Sequence, residues 1–234
     1  MGYRLINCVA VFVNALGHNP GKINEKMTDK DFTAMVCSKI LHDLAGPIGA
    51  VMNGTELLEE TSNAGNEEII ELLKSSSEQL TALLQVFRVS FGALSSGGDE
   101  VDAGMVREHL ETYTKFKGVM MTWQPEEAMI DKVIAKMLVN GIFLLTELAR
   151  KKGQLQVSSS NGGGLKTFSI AAFGQGITAP EELKAIFNGV NKPEITTGNI
   201  PAFIILDLAA DKNMVVTLLE TPNGVVLQGQ TQPA

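Results

Sequence analysis

SKILHDLAGPIGAVMNGTELL (residues 38–58) sets His42 and Asp43 in the middle of a helical pattern, with Gly46-Pro47 one turn later. Glycine and proline both weaken helices, and a purely structural helix gains nothing from them at that spot. A helix that presents one imidazole gains a turn that can bend and, at Gly46, open space for a docking protein. The chain has only three histidines. His18 lies in a turn-like GHNPG, and His109 lies in a later helical stretch.

The same stretch fixes the local fold. Thr28-Asp29-Lys30-Asp31 reads as a helix N-terminus with Thr28 as cap. From there Cys37, Leu41, Leu44, Ile48, Val51, Thr55 and Leu58 recur at alternating steps of four and three. That is the seam of a bundle helix. TSNAGN (residues 61–66) ends it with turn residues. A second seam follows at Ile69, Leu73, Ser76, Leu80, Leu83, Phe87, Ser90 and Leu94, and SSGG (residues 95–98) closes it. Residues 29–97 therefore form an antiparallel helical hairpin. Val36, Ile40 and Met52 flank the first seam, and Ile70, Leu84 and Phe91 flank the second. So much apolar circumference calls for a partner, and a second copy gives a two-fold four-helix bundle.

Beyond residue 98 the pattern changes. DAGMVREHLETYTK reads as a helix, GVMMTW as a strand, and EEAMIDKVIAKMLVNGIFLLTELARKK as one long apolar helix. GQLQVSSS and LKTFSIAAF alternate around NGGG and form a hairpin. PEELKAIFNG and IPAFIILDLAADK read as helices, and NMVVTLLE with GVVLQGQ closes a final hairpin around Pro222-Asn223-Gly224. Residues 98–234 are thus an α+β sandwich, a mixed sheet with helices on one face.

Composition narrows the function. A hydrophobic fraction of 44% and a net charge of −7 describe a folded acidic protein. With no basic stripe beyond Arg150-Lys151-Lys152, nucleic-acid binding is disfavoured. Cys8 and Cys37 are too few and too far apart for a disulfide framework or a zinc site. Cys37 falls on the apolar seam and is expected to be buried, and a reducing cytoplasm fits. The apolar run over residues 5–16 is too short to span a bilayer, although a weak signal peptide is conceivable. Residues 1–28 are left as an N-terminal extension of unknown role.

In heptad register Leu41 and Leu44 face the seam, so His42 points into solvent, with Asp43 following on the exposed side. A hairpin turning at residues 61–67 sets His42 level with residues 86–87 and close to Arg88. An exposed imidazole, an adjacent carboxylate and an arginine suit phosphoryl chemistry. The carboxylate holds one ring nitrogen and leaves the other as nucleophile, and the arginine offsets charge on the group in transit. The alternatives are an ordinary surface histidine and a solvated arginine.

At these residues a resemblance emerges. HDLAGP resembles the H-box of sensor histidine kinases, in which a histidine is followed by an acid and, four residues further on, a proline. More narrowly, CSKILHDLAGPIGAVMNGTELLEE followed by FRVSFGAL is similar to the alphaproteobacterial histidine phosphotransferases of the ChpT family. The resemblance runs from about residue 32 to the C-terminus. It implies that His42 is the phospho-acceptor with Asp43 beside it, on a homodimeric bundle like a kinase dimerisation (DHp) domain. It also implies a second domain like a kinase ATP-binding domain that has lost its nucleotide site. In the N-box region the metal-binding asparagine position falls on Leu144, with Asn140 one turn early. In AAFGQGI the aspartate that would read adenine is Ala172, Gly174 and Gly176 being retained as turn glycines. TTGNIPAF stands where a glycine-rich lid would follow. The resemblance therefore implies no cofactor and no metal of its own, Mg²⁺ being supplied by the partner receiver domain. It implies a phosphorelay role in the cytoplasm, with a CckA-like hybrid kinase as donor and CtrA-like and CpdR-like response regulators as acceptors. Gly46 replaces the Thr or Asn associated with phosphatase activity in kinases. Two other readings stand beside this one: a non-catalytic scaffold that docks receivers or kinases, and an active ATP-using histidine kinase.

Overall fold

A computed structural model describes residues 29–60, 66–91, 98–124, 127–150, 153–162, 165–189 and 193–232. The expected cap at Thr28, the apolar run over residues 5–16, Cys8, His18, the hairpin turn at 61–65 and Leu94 lie outside the described residues.

Helix α1 (Asp29–Glu60) runs unbroken through Gly46 and Pro47. Pro47 has no N–H to offer the Asp43 carbonyl one turn back, a defect that costs about 3 kcal/mol in a helix interior. Burial of the ring, among the few buried side chains of α1, offsets it. Helix α2 (Asn66–Phe91) returns antiparallel along α1. At Gly54 the two helices approach closely, and an added Cβ would lie 2.7 Å from Leu73 Cδ2.

The α2 seam is as expected: Ser76, Leu83, Phe87 and Ser90 are buried. The α1 seam is not a single surface. Leu44 packs against the core of the same chain, and Val51 and Leu58 are half-buried beside α2. Leu41 is 69% exposed and Ile48 44% exposed, Thr55 is exposed, and Cys37 is exposed as well, not buried. Alternate seam positions sit on either side of a line, because the buried and half-buried positions 40, 44, 47, 51, 54 and 58 form one inward stripe, with Gly54 against Leu73 of α2. That stripe turns the other positions away.

Strand β1 (Glu100–Asp102) follows, then α3 (Ala103–Phe116) and β2 (Met120–Trp123). The long apolar helix expected next starts late. Met129–Asp131 is a strand, β3, antiparallel to β1 in a small two-stranded sheet that the sequence reading lacks. Asp131 then caps α4 (Lys132–Ala149), its Oδ1 accepting from the N–H groups of Val133 at 2.8 Å and Ile134 at 3.3 Å. After it come β4 (Gln154–Gly162), β5 (Leu165–Phe173), α5 (Glu181–Asn188), α6 (Ile200–Asp211), β6 (Met214–Thr221) and β7 (Gly224–Thr231).

The main sheet has the order β2-β4-β5-β7-β6. Strand β2 runs parallel to β4, and the other pairs are antiparallel. One face is apolar and buried, with Leu155, Ile170 and Leu227 fully covered; α4 lies across it. Gly141 allows this approach, since a Cβ there would run into Ile170 and Leu227. The core does not stop at the sheet. Leu83, Val86 and Phe87 of α2 belong to the same buried cluster as α3 and α4. The Phe87 ring stands 5.8 Å from that of Phe143 on α4. The C-terminal half of α2 is thus fastened to the α/β unit, and this fixes what the hairpin presents beside α3 and α4. Among the described residues no helix is long and apolar enough to cross a membrane.

Candidate phosphotransfer site

His42 projects from α1 with its side chain 77% exposed. Its Nδ1 lies 3.1 Å from Oδ1 of Asp43. A carboxylate only accepts, so Nδ1 carries the proton and donates, and the Nε2 lone pair is left facing solvent. Asp43 does not sit on the exposed side as the heptad register suggested. Its side chain is 8% exposed, tucked between α1 and the α3–α4 wall. Burial next to hydrocarbon makes a carboxylate costly unless it is paired. Lys39, one turn earlier, supplies the second partner, with Nζ donating to Asp43 Oδ2 at 2.7 Å. The same ammonium stands 5.7 Å from the centre of the Phe143 ring.

Behind Asp43 the wall is aromatic. Tyr113 of α3 meets Phe143 edge-on, with ring centroids 5.2 Å apart at 76°. Burial pushes the Tyr113 hydroxyl far above its ordinary pKa; the negative charges of Asp43 and Glu147 push the same way, and Arg150 opposes them. These charges place Asp43, Glu147 and Arg150 around one phenol. Glu147 bonds Arg150 at 2.7 Å and faces Lys117 at 3.7 Å, and Lys117 Nζ lies 5.7 Å over the Tyr113 ring. The histidine therefore adjoins a charged rim on the α/β unit.

The structure brings His42 and Asp43 together, and it does not join Arg88 to them. Arg88 is exposed on α2 and lines a cleft of about 710 Å³ against β1, α3 and Lys166 of β5. His109 lines the same cleft, whereas His42 and Asp43 are not among its lining residues. Among the described residues no hydrogen bond or ion pair links Arg88 to His42. Lys39, Tyr113 and Phe143 went unread in the sequence. For Lys39 a signal existed, four residues ahead of Asp43; for the aromatics only the tertiary fold supplies it.

The positions compared with a nucleotide site are apolar. Leu144 is 5% and Ala172 0% exposed, both inside the core, and neither side chain has a lone pair for a metal or an adenine amino group. Asn140 is fully buried, and its amide nitrogen donates to the Lys136 carbonyl at 2.8 Å. TTGN is wired down: the Asn199 side chain donates to Glu182 of α5 and to the Glu194 carbonyl, and it accepts from Thr196 N–H at 2.8 Å. These residues do not fit a nucleotide or its metal. Among the described residues no group of three His, Cys, Asp or Glu side chains is placed to hold a metal ion.

The family model for the histidine phosphotransferase C-terminal domain matches residues 104–224. Protein phosphotransferase ChpT of Brucella abortus (strain 2308) is 28% identical over 201 residues, 86% of this chain and 95% of that protein. A solved bacterial phosphotransferase is 27% identical and superposes with a TM-score of 0.76 over 89% of this chain and all of that one. A histidine kinase domain from the blue-light activated kinase of Erythrobacter litoralis EL346 gives 12% identity and a TM-score of 0.46, over 79% of this chain and 93% of that one. The family model, the Brucella relative and the solved bacterial phosphotransferase, on a helical hairpin fastened to an α/β unit, define a histidine phosphotransferase, a protein of phosphorelay signalling. The chain belongs to the ChpT family of these proteins.

Proposed function

We propose that His42 accepts a phosphoryl group from the aspartyl phosphate of one receiver domain and delivers it to the aspartate of another, with no nucleotide of the protein's own. The observation that carries this is the pairing of a 77% exposed imidazole with a carboxylate on Nδ1 at 3.1 Å. In the loading step the Nε2 lone pair attacks phosphorus. The P–O bond to the donor aspartate breaks, and the carboxylate leaves with the electron pair. Nδ1 keeps its proton, so the phosphorylated ring is cationic, and Asp43 faces that charge. In the unloading step the acceptor aspartate attacks phosphorus and Nε2 leaves with its pair as a neutral imidazole. Neither step needs a proton to be moved. The exposure is what an in-line approach by a recessed receiver aspartate requires. Mg²⁺ for both steps is held by the receiver's own acidic residues.

The buried hydrocarbon at Leu144 and Ala172 supports the absence of ATP chemistry. The exposed apolar side chains Leu41, Ile48 and Met52 of α1, with Ile70 and Leu84 of α2, support a homodimer in which two hairpins form a four-helix bundle. Arg88, expected from the sequence at the phosphoryl group, is better read as a cationic contact to the incoming receiver. The resemblance to the family makes a CckA-like kinase the donor and CtrA-like and CpdR-like regulators the acceptors, in the cytoplasm. The test is label transfer from a phosphorylated receiver to the full chain, comparing His42→Ala with His18→Ala and His109→Ala. Loss in the first alone is expected; acid-labile phosphate on the His42→Ala protein would overturn the assignment.

A further inference from the structure

We propose that Lys39 is a positioning residue for phosphotransfer, held in place by Phe143 of α4, so that the α/β unit sets the tautomer and aim of the histidine on the hairpin. This rests on the reading of His42 as phospho-acceptor.

The geometry assigns each oxygen of Asp43 one partner. Oδ1 takes the proton on His42 Nδ1, and Oδ2 takes Lys39 Nζ at 2.7 Å. A carboxylate bonded only to an exposed imidazole is free to turn about its last side-chain torsion. With Oδ2 pinned, the plane is fixed and Oδ1 stays directed at Nδ1. Burial makes the pin necessary as well as useful. The Asp43 side chain is 8% exposed and that of Lys39 14% exposed, beside Tyr113 and Phe143, which are 3% and 2% exposed. Without the ammonium, the carboxylate gains by swinging out to water, and the bond to Nδ1 goes with it.

The ordinary reading is an i,i+4 ion pair that steadies α1. Two features argue against it. The pair has the lysine N-terminal to the acid, the weaker order on a helix, and both side chains are largely buried, where such a pair does not stabilise by itself. A third contact is not local at all. Lys39 Nζ sits 5.7 Å from the centre of the Phe143 ring, within cation–π range. That ring is clamped in turn by Tyr113 and by Phe87 of α2. The lysine is held by α4 and the carboxylate by the lysine; the imidazole follows the carboxylate.

The test uses the full chain with ¹⁵N-labelled histidine. Imidazole nitrogen shifts report which ring nitrogen of His42 carries the proton, the signal being assigned by its loss in His42→Gln. Phosphoramidate, a small donor that needs no docking surface, reports the intrinsic reactivity of Nε2. In the unaltered protein His42 should be protonated on Nδ1. In Lys39→Met the two tautomers should mix and labelling by phosphoramidate should slow about tenfold, with the half-saturating concentration of a phosphorylated receiver little changed. Lys39→Arg, which keeps both the charge and the cation–π contact, should restore tautomer and rate. If Lys39→Met does not fold, Phe143→Leu, which leaves the Lys39–Asp43 pair in place, should show the same changes to a smaller degree. An unchanged tautomer and rate in a folded Lys39→Met, or the lack of rescue by arginine, would overturn the positioning role alone. Labelling of His42→Gln at the normal rate would overturn the acceptor assignment, and this inference with it.

Discussion

Asp131 and Lys166 tie the start of α4 to strand β5 through a 2.6 Å ion pair, while the other oxygen of Asp131 caps the helix. Helix α4 carries Phe143, so this joint sets the wall behind the histidine site. Burial pushes the Asp131 carboxyl up, but the hydrogen bond from Lys166 and those from the Val133 and Ile134 N–H groups outweigh it and hold the group below its ordinary 3.8. A carboxylate with a depressed folded pKa adds stability that is present above the unfolded value and lost as pH falls through the folded one. Asp131→Asn, which keeps an acceptor for the cap but loses the charge, should cost about 1 kcal/mol at neutral pH, and Asp131→Ala about twice that. Urea titration at pH 7 and again below pH 3.8 checks both: the gap between native and Asp131→Asn proteins should narrow in acid. A gap independent of pH would show that the ion pair contributes nothing.

Leu41 and Leu44 are three residues apart and have opposite fates. Leu44 packs against the chain's own core, and Leu41 is 69% exposed. If two hairpins form the proposed bundle, Leu41→Glu should leave the helical content intact and convert a dimer to a monomer, as read by light scattering at micromolar concentration. Leu44→Asp should instead destabilise the chain by about 3 kcal/mol, since it places an unpaired charge in the core. If the unaltered chain already scatters as a monomer, the apolar stripe has another occupant and the bundle reading fails.

These two leucines also show what could be read from residues alone. The heptad gave the hairpin, because four-three spacing is local and depends only on helix geometry. It could not say which half of the seam meets α2 and which faces outward, since both are apolar for packing reasons of the same kind. Asp43 failed in the opposite direction: a carboxylate is expected in water, and only the arrival of Lys39, Tyr113 and Phe143 from one turn and two helices away makes its burial tolerable. Alternation identified the five long-range strands well. Met129–Asp131 was missed because three residues carry no period, and its pairing with β1 is set by tertiary contact.

Mg·ATP should produce no heat on calorimetric titration into the full chain. The side chains at the two positions where a nucleotide site would need polar contacts, Leu144 and Ala172, are buried hydrocarbon, and the Asn199–Glu182 bond ties down the segment that a lid would occupy. Binding in the micromolar range, about −8 kcal/mol, would mean that the nucleotide enters by another route, and the kinase reading would return.

Arg88 offers the sharpest separation between docking and chemistry. It lies on α2 in the cleft with His109 and Lys166, and among the described residues no hydrogen bond or ion pair joins it to His42. If it grips the receiver, Arg88→Ala should raise the half-saturating receiver concentration several-fold, equivalent to about 1 kcal/mol for one exposed charged contact. The maximal transfer rate and the rate of labelling by phosphoramidate should stay as they were, because neither depends on the cleft. The effect should also shrink as salt is raised, since an exposed cation acts through a screened field. Should Arg88→Ala slow labelling by phosphoramidate, the guanidinium must reach the phosphoryl group itself, from its own hairpin or from that of a second copy. Mixing Arg88→Ala with His42→Ala chains then tells which. In a dimer that uses the partner's arginine, the mixed species regains the full rate at its one intact histidine; in a dimer that uses its own, it does not.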